Sequence, residues 1–113
     1  MGKKSQKKGR AGELELVKIL REHGISADAG KAVSFGSEAD VTGVDGIHVE
    51  CKRVEKLNVS EAMFQAIEDS KKFNDGIPAL FHRKNRQPWL VTMIFDDWIQ
   101  LYEGWNHGEE KLS

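Results

Sequence analysis

The chain has 113 residues, 39% of them hydrophobic and 31% charged, and its formal net charge at pH 7 is −1. This length and this balance predict one soluble domain with one core, with no room for a second domain. The single cysteine excludes an internal disulfide, no apolar run could span a membrane and no signal peptide is visible, so we predict a cytoplasmic protein.

The first ten residues form a basic segment, which predicts an N-terminal arm over residues 1–10. Its cationic residues are Lys3, Lys4, Lys7, Lys8 and Arg10. Such an arm either contacts phosphate, because neutralising phosphate releases counterions, or is a disordered end that keeps the protein soluble. The first interpretation makes Lys7, Lys8 and Arg10 candidate DNA contacts. At the other end, residues 106–113 form a polar tail.

An amphipathic helix is predicted over residues 11–23, with Gly24 as its C-terminal stop. Its apolar stripe consists of Leu16, Val17 and Leu20. Glu13 lies on that same stripe, because positions 13, 16, 17 and 20 follow helical spacing. A carboxylate in such a place is costly unless it is paired or bound to a metal. The alternative is that Glu13, in the first turn, complements the helix dipole and reaches water.

Residues 25–33 predict the first strand, and the glycine- and serine-containing segment 34–38 predicts a loop that leads directly to Asp40. A loop in that place could touch a phosphate group of a substrate. Ser34 and Ser37 could each donate a hydrogen bond to it, although serines in turns often bond their own backbone. Both interpretations of the two serines stay open at this point.

Two short strands joined by a turn carry the candidate site. The strands are predicted over residues 39–42 and 47–52, with the turn at residues 44–46. Because strand side chains alternate, Glu50 and Lys52 share one face of the second strand and its apolar residues share the other. The apolar face predicts a core surface, in which Cys51 is a small buried residue. Asp40, Glu50 and Lys52 should therefore gather at one edge of the hairpin.

This set of residue types suits the hydrolysis of a phosphodiester. Mg²⁺ takes oxygen ligands from one or two carboxylates and keeps several waters, and Asp40 and Glu50 can supply those oxygens. The backbone carbonyl of Cys51 could add a neutral ligand. The Lys52 ammonium could hold the attacking water or stabilise charge on the phosphate. The alternative is that Glu50 and Lys52 form a solvated ion pair of small energetic value.

The remaining chain predicts a helix over residues 60–73, strands over 77–82 and 89–94, and a last helix that ends near 102. Ser60 is the predicted N-cap of the first of these helices, and Asp96 or Asp97 caps the last. The apolar face of the helix over 60–73 is predicted to be Met63, Ala66, Ile67 and Phe73. This order of elements predicts an α/β domain with a mixed sheet covered by helices. The four histidines are too scattered for a zinc site, so a zinc protein is not expected.

The order of these motifs resembles the archaeal-type Holliday junction resolvases of the PD-(D/E)xK nuclease superfamily. Residues 8–13 read Lys-Gly-Arg-Ala-Gly-Glu, and Ser37, Asp40 and Glu50-Cys51-Lys52 follow in the order of that family. The resemblance covers about residues 8–94. It implies a restriction-endonuclease-like core with a mixed five-stranded sheet flanked by helices, in a single nuclease domain over residues 11–105. The turn between Asp40 and Glu50 is shorter than expected of the archaeal members, which points to a bacteriophage or bacterial member.

The resemblance also implies roles for individual residues. Asp40 and Glu50 would bind Mg²⁺, for which Mn²⁺ could substitute, together with Glu13 and the backbone carbonyl of Cys51. Lys52 would assist the attacking water, which makes Glu13, Asp40, Glu50 and Lys52 the predicted catalytic set. The predicted DNA contacts are Lys7, Lys8, Arg10, Ser34, Ser37 and Arg53.

The predicted function is therefore that of a metal-dependent, structure-selective DNA endonuclease, a Holliday junction resolvase acting in DNA recombination and repair. One alternative is a restriction-like or repair nuclease that cuts flaps or duplex DNA, and another is a catalytically inactive DNA-binding module. For a phage-encoded protein the location would be the host cytoplasm.

The family works as homodimers, which implies a twofold contact between two copies of the chain. The candidates for that contact are Trp98, Ile99, Leu101, Tyr102 and Trp105. The alternative is that these residues cover the core of their own monomer.

Overall fold

The computed structural model describes residues 2–30 and 39–112, with side chains described for residues 10–30 and 39–106. Its elements in chain order are α1 (Gly2–Glu22), β1 (Asp28–Ala29), β2 (Val41–Thr42), β3 (Ile47–Arg53), α2 (Val59–Phe73), β4 (Ile77–Arg83), β5 (Leu90–Met93) and α3 (Phe95–Leu112). This is the predicted order of elements. In the part of the chain described, no helix is long and apolar enough to cross a membrane.

The strands form one mixed five-stranded sheet in the order β1-β2-β3-β4-β5, which confirms the predicted fold class. Neighbouring strands are antiparallel except β3 and β4, which are parallel. Two parallel strands need a crossover between them, and α2 supplies it. The long strands β3 and β4 are therefore central, with α1 packed against β3 and α2 packed against both strands.

Helix α1 covers one face of the sheet through the apolar stripe predicted for it. The buried cluster on this face consists of Leu16, Val17, Ala27, Val41, Val49 and Cys51. The helix comes very close to the sheet at Gly12, because a Cβ atom there would lie 2.4 Å from the Cβ of Arg53. The burial of Val49 and Cys51 against α1 confirms the face predicted for them. By alternation, Glu50 belongs to the opposite face.

Helix α2 covers that opposite face, but with a different set of residues from the predicted one. Its fully buried residues are Ala62, Ala66 and Ser70. Of the predicted face, only Ala66 is fully buried, and Met63, Ile67 and Phe73 are half-buried. The predicted residues therefore do lie on the covered side of α2, but the most deeply buried positions are shifted by about one residue. The physical reason is that small side chains let the helix axis lie close to the sheet, while the larger ones pack beside it.

Two helix starts also differ from the prediction. Helix α1 begins at Gly2 rather than at residue 11, so residues 2–10 of the predicted arm are helical. Lysine and glutamine favour helix, and the glycines of this segment weaken a helix without ending it. The N-cap of α2 is Asn58 and not Ser60, because Asn58 has an extended backbone and its side chain accepts a hydrogen bond from the Glu61 N–H at 3.0 Å.

The last helix and the first strand are corrected as well. Helix α3 begins at Phe95, so Asp96 and Asp97 lie in its first turn, where they complement the helix dipole instead of capping it. The helix also continues past residue 102 to Leu112. Among the described residues the first strand is only Asp28–Ala29, because the chain turns just before it, where the Ala27 N–H donates to the Ile25 carbonyl at 2.8 Å. Residues 31–33 of the predicted strand lie outside the described residues.

The start of β4 lies against the turn between β2 and β3. Gly76 has a φ of +133°, and a Cβ atom there would lie 2.5 Å from backbone atoms of Gly46. The N–H of Ile77 donates to the carbonyl of Gly46 at 2.8 Å. Glycine is the residue that fits such a contact, since it has no Cβ and tolerates positive φ. The contact brings Asp75 next to the hairpin.

A cluster of polar side chains joins α1 to the two central strands. The Glu15 carboxylate accepts hydrogen bonds from Arg83, from Trp89 Nε1 at 3.1 Å and from Arg53 Nε at 3.4 Å. Burial opposes the ionisation of Glu15, but Arg83 and Arg53 outweigh it and lower the pKa of this carboxyl. The cluster therefore contributes electrostatic stabilisation to the packing of α1 on the sheet.

Replacing Glu15 by glutamine is expected to lower the free energy of unfolding at pH 7 by about 1–2 kcal/mol, at the low end for hydrogen bonds to charged groups because 32% of the Glu15 side chain is exposed. Because the pKa of Glu15 is lower in the folded than in the unfolded chain, its carboxylate stabilises the fold above the unfolded value of 4.5. That stabilisation is lost as the pH falls through the lowered folded pKa. Urea unfolding over about pH 3–8 measures the difference, with the exposed Glu22→Gln as control. A difference that stays constant with pH would contradict this account.

Candidate active site

Asp40 is held just before β2 by three hydrogen bonds. Its N–H donates to the carbonyl of Val49 at 3.1 Å, and its own carbonyl accepts from the N–H of Gly30 at 2.8 Å. Its carboxylate Oδ2 accepts from the N–H of Cys51 at 2.8 Å. The backbone thus fixes where Asp40 stands, and the bond to Cys51 directs its carboxylate toward β3.

Three further charged residues surround Asp40. Glu50 on β3 is only 4% exposed, and Lys52, two residues along the same face, is half-buried. Glu13 reaches this place from α1, where its half-buried carboxylate lies 3.6 Å from the guanidinium of Arg10. A buried carboxylate needs a compensating charge or hydrogen bonds. The carboxyl groups of Asp40, Glu50 and Glu13 and the ammonium of Lys52 therefore interact near the start of β2.

The mutual influence of these groups is visible in their pKa values. Burial and the neighbouring carboxylates of Glu50 and Glu13 raise the pKa of Asp40 to about 7, against the opposing effects of Lys52 and of the Cys51 N–H. Burial also raises the pKa of Glu13, with a further contribution from Glu50 and opposition from Arg10 and Lys52. Like charges held together in this way are unfavourable in the absence of a cation.

Cys51 has a buried side chain that packs in the core and a backbone that contacts Asp40. Burial raises the pKa of its thiol to about 12, so the thiol stays neutral and is not a nucleophile. In an antiparallel pair, the N–H and C=O of one strand residue point to the same neighbouring strand. Since the Cys51 N–H donates to Asp40, the Cys51 carbonyl also points toward the neighbouring strand β2. The predicted neutral oxygen ligand is therefore on the side of Asp40.

Comparison with known proteins finds no matching family model and no matching curated protein. Among solved structures, the chain is similar to Archaeoglobus fulgidus Hjc, a Holliday junction resolvase from an archaeal hyperthermophile. The similarity covers 76% of this chain and 72% of that one, with a TM-score of 0.55 and 17% sequence identity. The chain has the fold of an archaeal resolvase. The resemblance found in the sequence and the restriction-endonuclease-like fold class are thereby confirmed.

At this identity the likeness concerns the fold, so the chemistry has to be argued from side chains. Within the resolvase fold, Glu13, Asp40, Glu50 and Lys52 interact through their charges, as described above for Asp40 and Glu13. They are contributed by α1, by the start of β2 and by β3. Their catalytic and metal-binding roles stay predictions.

The predicted DNA contacts are only partly described by the structure. Ser34 and Ser37 lie outside the described residues, and Lys7 and Lys8 belong to α1 with side chains outside the described range. Arg10 donates to the Gly30 carbonyl as well as pairing with Glu13. Arg53 donates to Asn85 Oδ1 at 2.8 Å and to Glu15, with 21% of its side chain exposed. A role of these residues in DNA binding stays a prediction.

A histidine that the sequence pattern did not single out lies beside this site. His48 shares the face of Glu50 and is 1% exposed, and its Nε2 lies 3.7 Å from Glu50 Oε1. Its Nδ1 lies 2.8 Å from the carboxylate of Asp75. Burial lowers the pKa of His48, but Glu50 and Asp75 outweigh this effect and raise it to about 9. The only available signal was the two-residue spacing of His48 and Glu50, which places both on one face of a strand.

In the described residues, His48, Glu50 and Asp69 form a group in which one ligand atom of each lies within 4.8 Å of the others. Asp69 comes from α2, which covers this face of the sheet. The group includes Glu50 but neither Glu13 nor Asp40. Glu50 therefore has two sets of polar neighbours. One consists of Asp40, Glu13 and Lys52 near the start of β2, and the other of His48 and Asp69 beneath α2.

Helix α3 carries an exposed row of aromatic rings. Trp98, Leu101, Tyr102 and Trp105 are 46%, 43%, 46% and 58% exposed, so they do not cover the core of their own monomer. Phe95 stacks on Trp98 at 6.1 Å between ring centroids, and Trp98 stacks on Tyr102 at 5.3 Å. Ile99 is half-buried. The alternative that these residues cover the core of their own monomer is therefore wrong for Trp98, Leu101, Tyr102 and Trp105.

Proposed function

We propose that the protein is a divalent-metal-dependent DNA endonuclease, and specifically a Holliday junction resolvase that acts in recombination or repair in the cytoplasm. The observation that carries this proposal is the half-buried carboxylate of Asp40, which the charges of Glu50 and Glu13 repel and that of Lys52 attracts. The fold shared with an archaeal resolvase supports the choice of substrate class. A module that only binds DNA has no use for clustered carboxylates, because they repel phosphate.

The donor set at Asp40 suits a hard divalent cation. Asp40, Glu50 and the Cys51 carbonyl would hold it through oxygen, with Glu13 as a further carboxylate. The raised pKa values of Asp40 and Glu13 reflect burial and a repulsion that a cation at this place relieves. When bound, Mg²⁺, or Mn²⁺ in its place, supplies charge neutralisation at the phosphate and favours ionisation of water.

The chain's own groups perform the other parts of the reaction in this proposal. The Lys52 ammonium can donate hydrogen bonds to the attacking water and to a phosphate oxygen, which stabilises the charge that develops there. The Cys51 N–H keeps the Asp40 carboxylate in one orientation. The proposed DNA contacts remain Lys7, Lys8, Arg10, Ser34, Ser37 and Arg53. Contacts to phosphate position a duplex without reading its sequence, as recognition of branch shape requires.

A homodimer formed through α3 is part of this proposal. Resolution of a four-way junction needs two cuts related by twofold symmetry, and a twofold dimer presents two identical sites. Large exposed aromatic patches are typical of protein–protein contacts. The row of Phe95, Trp98, Tyr102 and Trp105 on α3 offers such a patch. The partner would be a second copy of the chain.

The test is cleavage of labelled four-way junction, flap and linear duplex DNA by the full chain, with Mg²⁺, Mn²⁺ or chelator. We expect paired symmetrical nicks in the junction that disappear with chelator. Preference for flap or duplex would replace the resolvase by a repair or restriction-like nuclease. Tight junction binding without metal-dependent cutting would leave a DNA-binding module.

A further inference from the structure

We propose that His48, Glu50 and Asp69 form a second metal site, for a divalent transition-metal ion such as Zn²⁺ or Co²⁺. Their ligand atoms come within 4.8 Å of one another between β3 and α2. Imidazole nitrogen combined with carboxylate oxygen is a donor set that these ions accept, whereas Mg²⁺ prefers oxygen alone. Glu50 is the residue this site has in common with the proposed Mg²⁺ site. The inference does not depend on nuclease activity.

The observation that carries the proposal is the Nε2 atom of His48. The residue is 1% exposed, and Nε2 has no hydrogen-bond partner among the described residues. Glu50 Oε1 lies 3.7 Å away, which is beyond hydrogen-bond distance. A buried polar atom without a partner costs about 1–3 kcal/mol, so its position calls for an explanation. A metal ion between Nε2 and the two carboxylates supplies the missing partner.

The other ring nitrogen is oriented as a metal ligand requires. Nδ1 of His48 lies 2.8 Å from both carboxylate oxygens of Asp75. Nδ1 donates its proton to that carboxylate, and a metal ion would displace the proton that the raised pKa of His48, about 9, keeps on Nε2 in the metal-free chain. A carboxylate behind the ring commonly accompanies metal-ligating histidines, where it fixes the tautomer and raises the basicity of the ligand. Asp75 is positioned by the close contact of Gly76 with Gly46.

The distances are close to those that one ion needs. Two atoms bonded to a tetrahedral zinc ion at about 2.0–2.1 Å lie about 3.3 Å apart. His48 Nε2 and Glu50 Oε1 are 3.7 Å apart, so a side-chain shift of about 0.4 Å brings both into range. Asp69 is half-buried on α2 and its ligand atom lies within 4.8 Å of the other two, so a side-chain movement of about 1.5 Å or less brings it into range. Three protein ligands leave the fourth position for water.

The test is a Co²⁺ titration of the chelator-treated full chain and of its Asp40→Asn variant, which lacks a ligand of the oxygen-only site, followed by visible absorption and by melting temperature. We expect one Co²⁺ per chain, visible bands of a low-symmetry site with a nitrogen ligand, and a higher melting temperature with metal. His48→Gln and Asp69→Asn should each weaken Co²⁺ binding at least about 10²-fold, and Asp75→Asn about 10-fold to 100-fold.

Two control variants separate this site from others. His82 is half-buried and pairs with Thr92 Oγ1 at 2.8 Å, so His82→Gln should leave Co²⁺ binding unchanged. Asp40→Asn leaves His48 and Asp69 untouched, so the visible bands of a nitrogen-ligated ion should persist even where the affinity shifts through Glu50, which both sites share. Asp69 is only half-buried, so Asp69→Asn keeps the test decisive even where His48→Gln fails to fold. The proposal is overturned by the absence of stoichiometric binding, by binding that survives Asp69→Asn, or by binding that Asp40→Asn alone removes.

Discussion

Replacing Asp40 by asparagine is expected to lower the rate of junction cleavage by at least about 10³-fold. In the proposed metal site, the loss of one charged ligand forfeits several kcal/mol of transition-state stabilisation, and about 4 kcal/mol corresponds to that factor. The side-chain oxygen of asparagine can still accept the hydrogen bond from the Cys51 N–H, so the local backbone should be preserved. The measurement is the single-turnover cleavage rate on a labelled junction at saturating enzyme.

The same variant should be more stable than the wild type when no metal is present. The pKa of Asp40 is raised in the folded chain to about 7, so its ionised carboxylate destabilises the fold at higher pH. Asparagine removes the cost of burying this charge and its repulsion by Glu50 and Glu13, and we expect a gain of about 1–2 kcal/mol at pH 8 in chelator. The gain should fade as the pH falls from about 7 toward the unfolded value of 3.8. Loss of activity with a gain of stability is typical of a functional residue.

The control for this variant is Asp45→Asn, which changes an exposed aspartate in the adjoining turn. It should affect neither cleavage nor stability. Cleavage by the Asp40→Asn variant at the wild-type rate would remove Asp40 from the proposed metal site. A large loss of stability would instead make Asp40 a structural residue, because its charge would then be compensated within the fold.

Replacing Leu80 by alanine is expected to lower the free energy of unfolding by about 3–5 kcal/mol. Leu80 lies at the centre of β4, is 0% exposed, and shares a sheet face with Glu50 beneath α2. Truncating a fully buried leucine loses its transfer free energy and leaves a cavity that neighbouring residues fill only in part. Domains of this size are stable by about 5–15 kcal/mol, so the variant would be close to the limit of folding.

Denaturant unfolding followed by circular dichroism measures the Leu80→Ala effect through the shift of the midpoint at constant slope. Leu90→Ala is the matched control, since Leu90 on β5 is 54% exposed and should cost less than about 0.5 kcal/mol. An equal loss in both variants would mean that β4 is not the centre of the core.

The hairpin and its carboxylates were predictable because strand alternation and turn chemistry act over a few residues. The two-residue spacing of Glu50 and Lys52 places them on one face, and the structure has them so. The order of motifs from Glu13 to Lys52 was enough to predict the resolvase fold. The buried face of α2 was not predictable from hydrophobicity, because the distance between helix and sheet decides whether small or large residues lie inside.

Interactions between distant residues were beyond the sequence. Glu15 on α1 accepts hydrogen bonds from Arg83 and Trp89, which are 68 and 74 residues away. His48 was counted among four scattered histidines. Its partner Asp75 is 27 residues away, and the two meet only because Gly76 packs on the β2–β3 turn.

The sequence by itself determined the order of elements, the apolar stripe of α1 and the hairpin that carries Asp40, Glu50 and Lys52. These features follow from periodicity and turn preference, which are local properties of a chain. The tertiary structure decided that Glu50 has a second set of neighbours in His48 and Asp69. The parallel pairing of β3 with β4 requires the crossover helix α2. That helix places the Asp69 carboxylate against the sheet face that carries His48 and Glu50, a contact that strand alternation alone does not predict.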